Sequence, residues 1–108
     1  MLSPIKLTRV YAGRYVTTIR CHFIGGVRPG THDVGFVIHH QPEWEGPEQW
    51  EITAEIIAVD GYPAITLIAP TDSITRTLAD ARDAVADAAA AGWEWHRGFG
   101  YGLRRGRK

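Results

Sequence analysis

The stretch W-E-I-T-A-E-I-I-A-V-D-G-Y, from Trp50 to Tyr62, decides how the chain is read. Trp50, Ile52, Ala54, Ile56 and Ala58 fall on one side, and Glu51, Thr53 and Glu55 on the other. That two-residue period is the mark of a half-buried strand. Asp60-Gly61 follows at once, a pair favoured in type I′ hairpin turns because both central positions need positive φ. Tyr62 to Ala69 reads as the returning strand. Pro63 then belongs at its start or on an edge, where a missing N–H costs no ladder bond.

Past Pro70 the period changes. T-D-S-I-T-R-T-L-A-D-A-R-D-A-V-A-D-A-A-A-A-G, Thr71 to Gly92, reads as a helix with Thr77 as N-cap and Gly92 as its stop. Leu78, Ala81, Val85, Ala88 and Ala89 form an apolar stripe, and Asp80, Asp83 and Asp87 line another face. A stripe made mostly of alanine requires the helix to lie close on a sheet.

Toward the N-terminus, Ile5 to Val10 alternates apolar and polar, and Ala12-Gly13 permits a turn. Tyr15 to Ile24 is rich in β-branched and aromatic residues. It places Tyr15, Thr17, Ile19, Cys21 and Phe23 on one face. Gly25 to Gly30 reads as a flexible loop and Val34 to His40 as another strand. Q-P-E-W-E-G-P-E, Gln41 to Glu48, reads as a solvent loop. Beyond Gly92, Trp93 and Trp95 begin a last strand. From Gly98 glycine recurs at every second residue, which offers no cohesive core. The expectation is an α+β fold: an antiparallel sheet of four to five strands, one C-terminal helix packed on one face, and a basic glycine/aromatic tail. Residues 1–96 form the single domain and 97–108 the flexible tail.

Composition narrows the class. With 44% hydrophobic and 22% charged residues, the 108-residue chain reads as one globular domain and not a disordered one. No apolar run approaches the roughly 20 residues that span a bilayer. The N-terminus lacks the apolar segment of a signal peptide, so a cytoplasmic location and no membrane partner are expected. A lone Cys21 excludes an internal disulfide framework. The zero net charge hides segregation. Residues 1–32 carry five cations and no acid, 33–91 carry eleven acids against two cations, and 92–108 carry five cations against one acid. The basic ends either fold against the acidic middle or form one basic face for a phosphate-bearing partner.

Few side chains announce chemistry. Cys21-His22 and His39-His40 are neighbours on strands, so each pair points to opposite faces and cannot chelate one ion. One member of each, such as His22 and His40, can meet across strands, but converging zinc spacing is not evident. Cys21 sits with Ile19 and Phe23, as an inert core thiol does. Glu43, Glu45, Glu48, Glu51 and Glu55 read as a solvated face. No phosphate loop, nucleophile elbow or catalytic triad order is present. The reading is a non-enzymatic protein with no cofactor and no metal.

The aromatics and cations are the better clue. Trp44, in the loop with Glu43 and Glu45, is either a protein-contact knob or folds back onto the sheet. Arg14, Arg20 and Arg28 would add a basic contact surface. An uncovered edge strand leaves a homodimer open. The alternative is nucleic acid. Arg97-Gly98-Phe99-Gly100-Tyr101 satisfies the first five positions of the aromatic octamer of RNA-recognition domains. Gly102 and Arg104 break the pattern, and seven residues after Tyr101 cannot supply the helix and strand that fold requires. A tail of Arg97, Phe99, Tyr101, Arg104, Arg105, Arg107 and Lys108 can still bind single strands by stacking and charge.

Two segments carry a resemblance. K-L-T-R-V-Y-A-G-R-Y, Lys6 to Tyr15, and T-L-A-D-A-R-D-A-V, Thr77 to Val85, resemble small uncharacterised proteins of actinobacterial phages. The second, with the hairpin before it, is also similar to the N-terminal domain of HicB-type antitoxins, over about residues 50–90. The phage resemblance implies a small accessory protein that binds a host or phage protein, and transfers no functional residue. The antitoxin resemblance implies a strand–strand–strand–helix module. Here Ala69 to Ser73 replaces the usual glycine-containing segment, and no helix-turn-helix or ribbon follows.

Overall fold

The computed structural model describes residues 6–41, 49–67 and 74–104. They form an α+β fold with one helix and one large sheet, as the change of period after Pro70 implies. Its strands are β1 (Thr8–Tyr11), β2 (Arg14–Ile24), β3 (Gly30–Gln41), β4 (Gln49–Ile56), β5 (Ile65–Thr66), β6 (Ile74–Thr75), β7 (Trp93–His96) and β8 (Gly100–Leu103). The helix α1 spans Leu78–Ala91. The sheet runs β5-β4-β3-β2-β7-β8, with β1 also on β2 and β6 also on β4. It is therefore larger than four to five strands, and the helix is followed by two of them.

The β2–β3 hairpin is the spine. Its register sets Tyr15 opposite Ile38, Thr17 opposite Phe36 and Ile19 opposite Val34. On β3, Val34, Phe36 and Ile38 face Ile56, Ala54 and Ile52 of β4. These residues share one face of the sheet. Cys21, Phe23, Val34, Phe36, Ile38, Ile52, Ala54 and Ile56 are all buried, in one cluster with Ala81, Val85 and Ala88 of α1. The small helix side chains let the helix axis approach the sheet. Val16, Thr18, Arg20, Asp33, Gly35, Val37, Thr53 and Glu55 occupy the opposite face.

The helix ends follow their caps. The Asp80 N–H donates to Thr77 Oγ1 at 3.0 Å, satisfying one of the orphan donors of the first turn. The Gly92 N–H donates to the Ala88 carbonyl at 3.0 Å, with φ at 79°. A β-carbon on Gly92 would lie 2.7 Å from the His22 carbonyl oxygen, so glycine is what lets the chain turn into β7 beside β2.

The turn after β4 departs from expectation. Val59 and Tyr62 exchange backbone hydrogen bonds at 3.0 and 2.8 Å. Of Asp60 and Gly61, only Gly61 has positive φ, at 83°. That excludes type I′, whose twist matches a hairpin. The ladder accordingly stops after one bridge, and of the returning strand expected over Tyr62 to Ala69 the described residues, which end at residue 67, form Ile65–Thr66.

The largest correction lies at residues 97–104. They are not a tail. Arg97 to Phe99 make a turn closed by the Phe99 N–H on the His96 carbonyl at 2.8 Å, and Gly100–Leu103 pair antiparallel with β7. The Arg104 N–H donates to the Gly92 carbonyl at 2.8 Å, so the pairing runs to the base of the hairpin. β7 in turn pairs parallel with β2, Phe23 opposite Trp93. The domain boundary expected at residue 96 therefore does not exist up to Arg104. Arg105, Arg107 and Lys108 lie outside the described residues. Among the described residues, no helix is long and apolar enough to cross a membrane.

Candidate interaction surface

β7 is parallel to β2 and starts beside Phe23, so its second half projects past the end of β2. Trp95 and His96 overhang the Gly25–Pro29 connection. The connection is hooked onto that overhang. The Tyr101 hydroxyl donates to the Gly25 carbonyl at 2.5 Å and accepts the Arg28 N–H at 2.7 Å. The edge of Tyr101 meets Phe23 and Trp95, with centroids 5.1 and 5.2 Å away. A β-carbon on Gly26 would lie 2.6 Å from the Trp95 ring, so the loop backbone lies flat on the indole.

The hairpin turn after β4 reaches the same end. The Arg28 guanidinium carbon sits 4.7 Å from the centroid of the Tyr62 ring, a cation–π contact. His32 holds the arginine from below. Its Nε2 lies 3.0 Å from the Arg28 carbonyl and 3.1 Å from that of Pro29, and its Nδ1 3.5 Å from Arg28 Nη2. Three connections thus lie at one end of the sheet: Gly25–Pro29, Val59–Tyr62 and Arg97–Phe99. Braced from behind, they present Val27, 66% exposed, Tyr62, 56% exposed, and Phe99, 81% exposed. Val59 and Ile24 are exposed beside them.

The residues singled out from sequence scatter. Trp44, Glu43 and Glu45 lie outside the described residues. Arg14, Arg20 and Arg28 do not make one basic surface. Arg14 and Arg20 share the outer face but stand six residues apart on β2, roughly 20 Å, beyond the ~8–10 Å screening length. Arg14 lies over Tyr11 at 5.9 Å. Arg20 is matched by its cross-strand partner Asp33 at 3.3 Å. Arg28 belongs to the loop end.

The stretch Arg97 to Tyr101 divides in the same way. Tyr101 is fully buried, so it cannot stack a base, and this part of the nucleic-acid set is corrected. Phe99 and Arg97 sit exposed at the tip of the β7–β8 hairpin, whereas Arg104 lies at its base. Alternating glycines read as slack, but they only leave the outer side of β8 bare while Tyr101 and Leu103 face the core. The signal that could have found this strand is Trp93-Glu94-Trp95 opposite Tyr101-Gly102-Leu103, two short alternations flanking a turn.

The other candidates resolve simply. His22 lies opposite Thr31 on the outer face, and His40 lies opposite Trp50 on the inner one, so the two histidines do not meet. Among the described residues no group of three His, Cys, Asp or Glu side chains converges. Cys21 is buried, its Sγ 3.5 Å from the Ile19 carbonyl. Burial, and then the nearby Asp33 charge, push its thiol up to about 11, away from the nucleophilic thiolate. The outer sheet face carries an open trough of about 360 Å³ lined by Val16, Thr18, Val37, Thr53 and Glu55, where Gly35 lacks a side chain. Glu55 is the single ionisable side chain in its wall.

Compared with known proteins, the chain matches no family model, no curated protein and no solved structure.

Proposed function

We propose that this protein is a non-enzymatic interaction module that binds another protein through the loop end of its sheet. The observation that carries the reading is the set of three connections at one end of the sheet that leave Phe99, Val27 and Tyr62 in solvent. Exposed aromatic and branched side chains on rigid supports are what protein contacts use as anchors, because little freedom is lost on binding. The sequence resemblance to small phage proteins supports an accessory protein whose partner is a host or phage protein, working in the cytoplasm of a bacterial host. Trp44, with Glu43 and Glu45, remains a proposed second contact.

A second reading keeps single-stranded nucleic acid as the partner, because Phe99 is exposed two residues from Arg97. It is weaker, since Tyr101 is buried and Arg20 is matched by Asp33. The test is affinity capture of the tagged chain from bacterial lysate, with and without nuclease, beside Phe99→Ala and Val27→Asp. The expected result is one dominant protein that survives nuclease and is lost with either variant. Capture that disappears on nuclease treatment would replace this reading with the second one.

A further inference from the structure

Arg28 is the most constrained cation of the described residues. Its N–H donates to the Tyr101 hydroxyl at 2.7 Å. Its carbonyl accepts from His32 Nε2 at 3.0 Å. Carbonyl oxygens only accept, so the His32 proton resides on Nε2, and Nδ1 is left to accept from the Arg28 guanidinium. One face of the guanidinium is covered by Tyr62. Its Nη1 is shut off from solvent and has no hydrogen-bond partner.

Among the described residues no carboxylate is paired with this group. The ion pairs of the described residues involve Arg20 with Asp33 and His96 with Glu94, and neither reaches Arg28. A guanidinium cannot escape desolvation by losing its proton. Asp33 of β3 stands across from Arg20 of β2 and supplies its counter-ion. At Arg28 the chain supplies an aromatic face, an imidazole and a fixed backbone, which orient the cation without a carboxylate among the described residues.

We infer that Arg28 is a preorganised anion site, and that its ligand is a carboxylate carried next to an aromatic or branched side chain of a bound protein. The charge sets the choice. A single arginine matches a monoanion, whereas a phosphate dianion calls for several cations. Because Nη1 is closed to solvent, a carboxylate would meet the guanidinium at its Nε–Nη2 edge. The surroundings set the rest, since Val27, Val59 and Tyr62 are exposed alongside and accept an apolar neighbour. The ligand's place in a protein rests on the contact surface proposed above, but the site itself can be tested without any partner.

The experiment is a titration of the free protein followed by amide NMR shifts. The probes are N-acetylphenylalanine, its uncharged amide, and inorganic phosphate, at constant ionic strength. The expected result is saturable shifts at Gly26, Arg28 and Tyr62, with the acid binding at least about tenfold tighter than the amide, the worth of one charge-assisted hydrogen bond. Arg28→Met should abolish the preference for acid, and Arg28→Lys, which keeps the charge but not the fork, should reduce it. If Arg28→Met does not fold, the acid–amide comparison on the unaltered chain decides alone. Equal binding of acid and amide, an unchanged preference in folded Arg28→Met, or tighter binding of phosphate at the same amides would each overturn the inference. Failure here leaves the contact surface standing. A failed capture, conversely, leaves an acid-selective Arg28 intact.

Discussion

The ring of Phe23 lies against the indole of Trp93, centroids 5.7 Å apart and planes 17° apart, where parallel strands set the two residues side by side. This pair joins the long β2–β3 hairpin to the strands that follow the helix. Trp93 is fully buried and also meets Phe36, with centroids 5.9 Å apart. Trp93→Ala should cost about 3–5 kcal/mol, the range for emptying a large aromatic site in a core. That is a large part of the stability of a domain this size. Urea unfolding followed by circular dichroism should show a midpoint sharply lowered or no folded baseline.

Gly92 and Gly61 form a matched test. Both have positive φ, at 79° and 83°. A β-carbon at Gly61 meets nothing within 4 Å, whereas at Gly92 it meets the His22 carbonyl oxygen at 2.7 Å. Gly61→Ala should cost only the backbone strain, about 1–2 kcal/mol. Gly92→Ala should add an overpacking cost of about 1–3 kcal/mol. Thermal melts of the two variants check the order, and an equal loss would contradict the close approach of the helix end to β2.

Cys21 sets an alkaline limit. Its thiol is pushed up to about 11 from 9.0, chiefly by burial. The unfolded chain therefore ionises first as pH rises. The contribution is fully present below pH 9 and is lost as pH rises toward 11, at most on the order of 2 kcal/mol. Cys21→Ala should flatten the fall of stability between pH 9 and 10.5, measured by urea midpoint. In the native chain at pH 8, the thiol should also react far more slowly with iodoacetamide than in 6 M urea.

Tyr101→Phe removes one oxygen and leaves the ring packing in place. The Arg28 N–H and the Gly25 carbonyl lose their partner together, so about 1–3 kcal/mol should be lost. Hydrogen exchange separates this from a general loosening. The Arg28 amide should lose protection by more than the β3 amides opposite β4 do.

The sequence was most legible where a side-chain period met a flat neighbour. The inner faces of β2 and β4 could be read residue by residue, as could the caps at Thr77 and Gly92, because each depends on a few adjacent positions. Asp60-Gly61 was legible as a turn but not as its type, since Asp60 does not take the positive φ that type I′ requires. β7 and β8 were the main loss. Their cohesion comes from Phe23 and the Gly25–Arg28 loop, far away in the chain, and local glycine content carries no trace of that. The loop end was unreadable for the same reason, because Tyr62, Arg28 and Phe99 come from three separate connections and Trp95 from β7.

The Tyr101 hook also bears on the order of assembly. It bonds groups 76 residues apart, and the parallel pairing of β2 with β7 spans a similar distance. During synthesis β2 can pair with β1 and β3 early, but its edge toward β7 stays open until residues 93–94 have emerged. Loop-closure entropy must be met before that contact gives anything back, which places the protein among slower folders, on the millisecond-to-second scale. The hook is therefore among the last contacts to form, and a chain caught before that step would lack the proposed contact surface.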